Sequence, residues 1–554
     1  MKIKTDVVVV GSGGAGMRAA IAAADCGVDV ILLSQKKIEK SGATSYPVAE
    51  MAGYNAGDVR IEKDVQSHYE DIINAGQGMA IPELASILAT KAPSTIKELE
   101  NWGVEFEKKD GDYYIFKSCF ASKPRTHVIR GHGSQIIKAM YDKIIKTDNI
   151  RCIEGFKALD LIINDGECCG VYGVHSDEKI IINAKSVILA TGGCGQIFEN
   201  NMNPNDVIGS GYSMAFNAGA KLINMEFMQI GIGFSKPITN IFNSYIWEGM
   251  PVLSDKNGAD IFEGLLPKGL SKEVVLHEHR KHFPFSTSDN SYYLEFAIQE
   301  AIKENRGTKN NGININLSKM TEQYVQNLKD DCGIHHMWPI AYEYMKSKGV
   351  DLLNDKIEVS CFAHAINGGI SIDESAQSTI PGLFAAGECA GGPHGADRLG
   401  GNMMVTCQVF GKIAGESAAA RAISKHQTNF NNSSVNYNIL HKKIDCIEII
   451  SELKKLSQKN LLVGRTERGL SEICEFIKSC YNDAESAEET EVSNSKNIDV
   501  YHMLNSAYLI AWSAINRKET RGSHHRLDFP EKNNNLSFPQ IIDKTKLSLP
   551  RQKF

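Results

Sequence analysis

The sequence contains no uninterrupted apolar run of about 20 residues, the length that a membrane-spanning helix needs. It also lacks an excess of basic residues, because 60 Lys and Arg against 66 Asp and Glu leave a net charge of −6, which argues against a nucleic-acid partner. The apolar run near the start, Val7–Val10, is too short for a signal peptide and runs into glycines. We therefore expect a cytoplasmic protein without membrane insertion.

Closely spaced cysteines are missing as well. The 13 cysteines include the adjacent pair Cys168 and Cys169 but no Cys-x-x-Cys pair, the spacing typical of zinc and iron–sulfur sites. We expect no metal site, and thiols that are mostly buried in a reducing compartment. If the protein moves single electrons over a distance, a separate subunit must carry the metal centres.

What the sequence does contain, at its start, is a strand that runs into a glycine turn. Four valines precede Gly11-Ser12-Gly13-Gly14-Ala15-Gly16, and an alanine-rich helix follows. In such a Gly-x-Gly-x-x-Gly turn, Gly11 permits the tight bend, Gly13 lets the backbone approach a pyrophosphate, and Gly16 lets the helix pack on the strand. The helix N-terminus adds N–H groups and partial positive charge. The pattern predicts a dinucleotide-binding domain.

Two later segments repeat the strand-and-glycine pattern, Ser186–Gly193 and Gly382–Cys389. We therefore predict an α/β fold in which a Rossmann-like domain is built from residues 1–235 and 351–425. An α+β capping domain at 236–350 is inserted between these two parts. Helical patterns over Tyr437–Lys455 and Val500–Asn516 predict a C-terminal helical domain and tail at 426–554.

Seven segments, in order, give the chain a resemblance to a known family. They are the N-terminal glycine turn, Ala190–Gly193, Gly219–Gln229, His364–Ile370, Gly387-Glu388, Arg398–Asn402 and Arg517–His524. With these segments the chain resembles the flavoprotein subunits of succinate dehydrogenases and fumarate reductases, and their relative L-aspartate oxidase. The resemblance implies an FAD-binding domain, an FAD-dependent oxidoreductase, a small carboxylate substrate, and a separate iron–sulfur or other electron-transfer subunit.

The resemblance also implies which residues hold FAD. They are Gly11, Gly13, Gly14, Ala15, Gly16, Ser34, Gln35, Ser41, Gly42, Ala43, Thr44, Ala190, Thr191, Gly192, Gly387, Glu388, Arg398, Gly401, Asn402 and Met403. Glu388 would accept hydrogen bonds from ribose or ribityl hydroxyls. Ser34 and Gln35 stand where Rossmann domains often carry an acidic residue for the adenosine ribose. Membrane-bound members attach FAD to a histidine at the position of Ala43, so the flavin should be non-covalent here.

In this family a dicarboxylate lies over the flavin ring. Hydride moves between flavin N5 and a carbon, and the neighbouring carbon gains or loses a proton. His364 and Arg398 match two of the groups that hold the carboxylates, and a guanidinium suits a bidentate grip. The alternatives are a core histidine at 364 and an ion pair of Arg398 with Asp397 or Glu388.

Two other groups of the family pattern are missing. Gly231 stands about where a second histidine would be, and Ser288 about where a proton-shuttling arginine would be. Arg280, Tyr292 or Tyr293 could act as the proton donor instead, although each is also compatible with a purely structural role. Because glycine at 231 makes room and one end of a dicarboxylate would be unheld, we expect a bulkier acid with one carboxylate, or a conjugated enoate, rather than fumarate.

The favoured hypothesis is an FAD-dependent oxidoreductase that acts on a carbon–carbon bond next to a carboxylate, with His364, Arg398, Arg280 and Tyr292 as catalytic candidates. One alternative is a flavoprotein subunit like that of adenylylsulfate reductase, in which flavin N5 attacks sulfur. A second is a flavin electron-relay subunit with a vestigial pocket. An amino-acid oxidase resembling L-aspartate oxidase is a third.

Overall fold

The computed structural model describes residues 1–46, 51–242, 244–330, 333–425, 435–491, 493–547 and 549. The strands are β1 Lys2–Val10, β2 Val30–Ser34, β3 Met51–Asn55, β4 Lys108–Lys109, β5 Asp112–Tyr113, β6 Ile115–Phe116, β7 Thr126–Arg130, β8 Ile150–Glu154, β9 Phe156–Asn164, β10 Glu167–His175, β11 Glu178–Leu189, β12 Leu222–Ile223, β13 Met228–Lys236, β14 Asn240–Ile241, β15 Val252–Ser254, β16 Ile313–Asn316, β17 Ile357–Ile366, β18 Gly369–Ser371, β19 Leu383–Ala385, β20 Ala390–Gly391 and β21 Ile541–Ile542. The helices are α1 Gly14–Asp25, α2 Asp64–Gly76, α3 Pro82–Asn101, α4 Ser134–Ile144, α5 Ser210–Ala218, α6 Lys272–His279, α7 Tyr293–Lys303, α8 Glu322–Gln326, α9 Ile334–Ser347, α10 Asn402–Ser424, α11 Cys446–Asn460, α12 Glu467–Ser486 and α13 Lys496–Asn516.

The central sheet is built on β1, whose apolar end is buried. Its strand order is β8-β2-β1-β11-β10-β9, and β19 also pairs with β11. The strands β8, β2, β1, β11 and β19 are parallel, with Val8 beside both Ile31 and Val187. Valines suit these positions because a parallel strand is covered on both faces. The three strand-and-glycine segments of the sequence thus lie side by side, and their carboxyl ends meet at one edge. The predicted α/β class is confirmed.

A second, antiparallel sheet has the order β14-β13-β17-β16-β15 and carries helices α6 to α9 in its connections. Its two longest strands pair along their length, with Gly231 opposite Phe362. They begin before residue 236 and end after residue 350, so this sheet reaches beyond the predicted insertion on both sides. The reason is that β13 and β17 pair with each other along most of their length, so the second sheet includes residues on both sides of the predicted insertion.

The C-terminal part is helical. Helix α11 begins nine residues later than the predicted Tyr437, because the Asp445 side chain caps its first turn by accepting from the backbone N–H groups of Ile447 and Glu448. The predicted boundary after residue 425 adjoins residues 426–434, which lie outside the described ranges. Among the helices in the described ranges, none combines the length and apolar character needed to cross a membrane.

A buried ion-pair network ties this helical part to the start of β13. Arg517 pairs with Glu226 and with Glu519 at 2.8 Å, and Arg521 pairs with Glu519 at 2.9 Å. All four side chains are almost completely inaccessible to solvent. The predicted Arg517–His524 segment therefore has a packing role in this fold.

Candidate active site and cofactor cavity

Two glycines of the turn after β1, Gly11 and Gly16, leave no space for side chains. Gly11 has φ +107°, and a Cβ there would lie 2.3 Å from the carbonyl oxygen of Ala190. A Cβ on Gly16 would lie 1.8 Å from the carbonyl oxygen of Gly11, so α1 packs directly on the turn. These close approaches explain the glycine spacing and aim the N-terminus of α1 at the carboxyl edge of the sheet.

A second loop faces this turn across a narrow gap. The nearest protein atom to a Cβ built on Gly13 is the Cα of Gly42 at 3.8 Å, and Gly42 itself has φ +77°. The Thr44 hydroxyl accepts a hydrogen bond from the Gly14 N–H at 3.3 Å, and Asp206 accepts one from the Ser41 hydroxyl at 2.7 Å. The two glycines form a cradle of bare backbone beside a helix N-terminus, which is the arrangement that binds a pyrophosphate.

One long cavity follows this edge. Of the residues predicted to hold FAD, those that line it are Gly11, Gly13, Gly14, Ala15, Gln35, Ser41, Gly42, Ala43, Thr44, Ala190, Thr191, Gly192, Glu388, Arg398, Gly401 and Met403. The other four, Gly16, Ser34, Gly387 and Asn402, stand behind the lining as supports. The Ser34 hydroxyl, for example, accepts a hydrogen bond from Ser12 at 2.7 Å, and the Asn402 side chain bonds to His68 at 3.0 Å.

Glu388 is part of the cavity wall. Its Oε1 accepts a hydrogen bond from the Ile366 N–H at 2.9 Å, and a Cβ on Gly193 would touch the same oxygen. Burial raises the pKa of Glu388 to about 7. A buried carboxyl with one protein donor retains lone pairs for ligand hydroxyls, so the chemistry of this wall fits a flavin with its ribityl and ribose groups.

Arg398 and His364 lie together at one end of the cavity, which we call the substrate end. Arg398 Nε donates to Gln229 Oε1 at 2.9 Å, and its Nη2 lies 3.5 Å from His364 Nε2. Asp397 does not pair with Arg398, because it accepts hydrogen bonds from Ser286 and Gln77 instead. Burial and the Arg398 charge lower the pKa of His364 to about 3, so its imidazole is neutral. The pair offers one cation and one neutral imidazole.

The space expected at Gly231 is filled, so the prediction of extra room there is wrong. A Cβ on Gly231 would lie 2.3 Å from Cζ of Phe283. The Phe283 ring also packs edge-on against His364, with centroids 5.5 Å apart. Phe283 belongs to an apolar cluster with Met202, Ile241 and Phe362. Phe283 therefore presents an apolar ring to the cavity beside His364.

Neither the residues considered as proton donors nor Ser288, at the position of the missing arginine, lines the cavity. Within the described ranges, Arg280, Ser288, Tyr292 and Tyr293 are absent from its lining. Arg280 lies near Glu248 and His277, and Tyr292 stacks on Tyr293 with centroids 4.3 Å apart. Ser288 accepts a hydrogen bond from Gln77 at 3.0 Å. We assign Arg280 and Tyr292 no role in the cavity.

Several residues that line the cavity were not predicted from the sequence. Phe283 and Cys119 meet at the substrate end, where the Phe283 N–H donates to Cys119 Sγ at 2.8 Å. His132 lines the same cavity, and burial lowers its pKa. Asp499 reaches the opposite end from α13. His132 lies between two glycines, Gly131 and Gly133, and this pattern could have pointed to a functional loop. Phe283, Cys119 and Asp499 belong to no recognisable motif.

Sequence profiles of two protein families match the chain. The FAD binding domain profile covers residues 6–404, and that of the fumarate reductase flavoprotein C-terminus covers residues 450–546. The chain is 30% identical to an uncharacterized FAD-dependent oxidoreductase of Methanocaldococcus jannaschii, over 96% of this chain and 94% of the relative. It is 29% identical to a subunit of the CoM/CoB fumarate reductase of Methanothermobacter marburgensis, over 95% and 94%.

Solved structures share the fold. Mycobacterium smegmatis Sdh1, in complex with UQ1, is similar with a TM-score of 0.81 and 26% identity, over 97% of this chain and 91% of that one. Adenylylsulfate reductase from Archaeoglobus fulgidus is similar with a TM-score of 0.72 and 17% identity, over 100% and 97%. At that identity the second likeness shows the fold alone.

Proposed function

Because this chain belongs to the family of succinate dehydrogenase and fumarate reductase flavoprotein subunits and is an FAD-dependent oxidoreductase, we propose that it acts on a carbon–carbon bond next to a carboxylate, in an acid that carries a single carboxylate. The observation that best supports this proposal is the position of the Phe283 ring. The ring fills the space that a side chain on residue 231 would need, and it lines the cavity beside His364. A second carboxylate there would lose its water without gaining a charged partner.

The retained groups suit the single carboxylate. Arg398 is 6% exposed and has donors beyond its bond to Gln229, so it can hold a carboxylate by charge-assisted hydrogen bonds. Neutral His364 can donate one further hydrogen bond. Together they draw electron density toward the carboxylate and polarise the adjacent carbon–carbon bond. When bound, FAD supplies the hydride donor or acceptor.

We also propose that FAD is held non-covalently by the lining residues. Ala43 lines the cavity and its methyl group offers no atom for a covalent bond. Electrons would be exchanged with a separate subunit that carries metal centres, as the family membership suggests. Acid precipitation of the purified protein should leave all of the flavin in the supernatant.

The test offers matched acceptors to the anaerobically photoreduced protein. Fumarate is compared with its monomethyl ester and with larger enoates of one carboxylate, and flavin reoxidation is followed by absorbance. We expect the acids with one carboxylate to react faster than fumarate. In Phe283→Ala the preference should shrink, whereas Phe538→Ala, a change at a ring that is 55% exposed, should leave it unchanged.

Two results would contradict the proposal. Fastest reoxidation by fumarate would restore a dicarboxylate as the substrate. Reoxidation by no enoate above the buffer rate would favour the electron-relay alternative.

A further inference from the structure

We call the end of the cavity opposite the substrate end, where Gln35 lies, the adenosine end. The second strand, β2, supplies no acidic residue there. In Rossmann domains a carboxylate near the end of the second strand binds the adenosine ribose, but here Ser34 and Gln35 occupy that place. The Ser34 hydroxyl is already bonded to Ser12, and Gln35 lines the cavity. The ribose would therefore meet an amide and no carboxylate from the central sheet.

The structure brings a carboxylate to this place from a distant part of the chain. Asp499, in the first turn of α13, lines the cavity, and Gln35 Nε2 lies 3.5 Å from its Oδ1. Lys157 Nζ donates to its Oδ2 at 2.6 Å, and Lys157 lines the same stretch. The Asp499 side chain is 22% exposed, so its oxygens retain open lone pairs.

The helix that carries Asp499 is held firmly against the central sheet. His502, one turn further along α13, bonds through Nε2 to the carbonyl oxygen of Ala158 at 3.0 Å. Ile498, which directly precedes Asp499, is buried and also lines the cavity. A fixed helix holds its carboxylate in place, which lowers the entropic cost of binding a ligand hydroxyl.

We propose that Asp499 accepts hydrogen bonds from the adenosine ribose hydroxyls of FAD, so that the C-terminal helical domain completes the cofactor site. The glycine turn fixes the pyrophosphate at the N-terminus of α1, and the ribose then lies at the end of β2, beside Gln35. Lys157 and Gln35 orient the carboxylate. The proposal concerns the cofactor and holds for any substrate, so its failure would leave the proposed function standing.

The experiment measures flavin affinity rather than turnover. FAD is stripped from the holoprotein, and rebinding is followed by flavin fluorescence for FAD, for FMN and for an FAD analogue without the adenosine 2′-hydroxyl. We expect Asp499→Ala to weaken FAD about tenfold to hundredfold, the range for a hydrogen bond to a charged group. FMN lacks adenosine, and its affinity should stay the same. The analogue should bind the unaltered protein more weakly, with little further loss in Asp499→Ala.

Two further variants separate recognition from packing. Glu475→Gln removes an exposed carboxylate on the neighbouring helix α12 and should change nothing. Lys157→Met removes a group that orients the carboxylate but keeps the ribose acceptor, so it should weaken FAD by less than Asp499→Ala does and leave FMN unchanged. Equal loss of FAD and FMN in Asp499→Ala, or an analogue that binds the unaltered protein as tightly as FAD, would overturn the proposal. If Asp499→Ala fails to fold, Asp499→Asn, which keeps the shape of the side chain but not its charge, takes its place in the same comparison.

Discussion

Two parts of the cavity, the pyrophosphate cradle and the substrate end, are built in different ways. The pyrophosphate cradle is formed by backbone atoms, since Gly13 and Gly42 face each other without side chains. At the substrate end, side chains from three separate segments meet, namely Phe283 before α7, His364 on β17 and Arg398 before α10. The cradle is specified by one short turn, whereas the substrate end depends on how distant segments pack. Substrate preference can therefore change while the cofactor is retained.

The largest effect is expected at the cradle. Gly13→Val should weaken FAD at least about hundredfold, because its side chain would fill the space needed by the pyrophosphate. A Cβ at this position would meet its nearest atom at 3.8 Å, an ordinary contact, so Gly13→Ala serves as the folding control and should melt close to the unaltered protein when both are free of flavin. Flavin content and calorimetry check both parts. Full flavin content in Gly13→Val would show that the phosphates bind elsewhere.

A smaller loss, confined to the substrate end, is expected from Arg398→Gln. Losing a charge-assisted contact should lower kcat/KM for the enoate about tenfold to hundredfold. Flavin content should remain nearly complete, because the cradle is untouched. Steady-state kinetics with reduced dye as electron donor measure the first and absorbance measures the second. Unchanged kcat/KM would show that Arg398 does not bind the substrate. It would favour the alternative of a flavin electron-relay subunit with a vestigial pocket.

The smallest effect is a pH dependence of FAD affinity, which we attribute to Glu388. The pKa of Glu388 is about 7 in the protein without ligand, and hydroxyl donors from FAD would stabilise its charged form and lower that pKa. FAD affinity should therefore be full above pH 7 and fall by up to about tenfold per pH unit below it. Glu388→Gln should bind FAD with no such slope. A slope of the opposite sign would mean that the carboxyl acts as a donor.

The cofactor half could be predicted from sequence for a physical reason. A Cβ on Gly11 or Gly16 would collide with backbone, so the turn leaves a readable spacing, and the family, the FAD and the α/β class were all predicted correctly. The substrate end could not be predicted so well. Nothing in the residues around Gly231 indicates that Phe283, some fifty residues later, folds back onto it. Asp499 reaches Gln35 from the opposite end of the chain in the same way.

The most direct test of this account is a crystal structure of the FAD-loaded protein with an unreactive acid of one carboxylate. We expect the carboxylate to lie within hydrogen-bond distance of Arg398, with the apolar remainder against the Phe283 ring. A ligand whose carboxylate lies away from Arg398, or a Phe283 ring that turns aside to admit a second charged group, would contradict it.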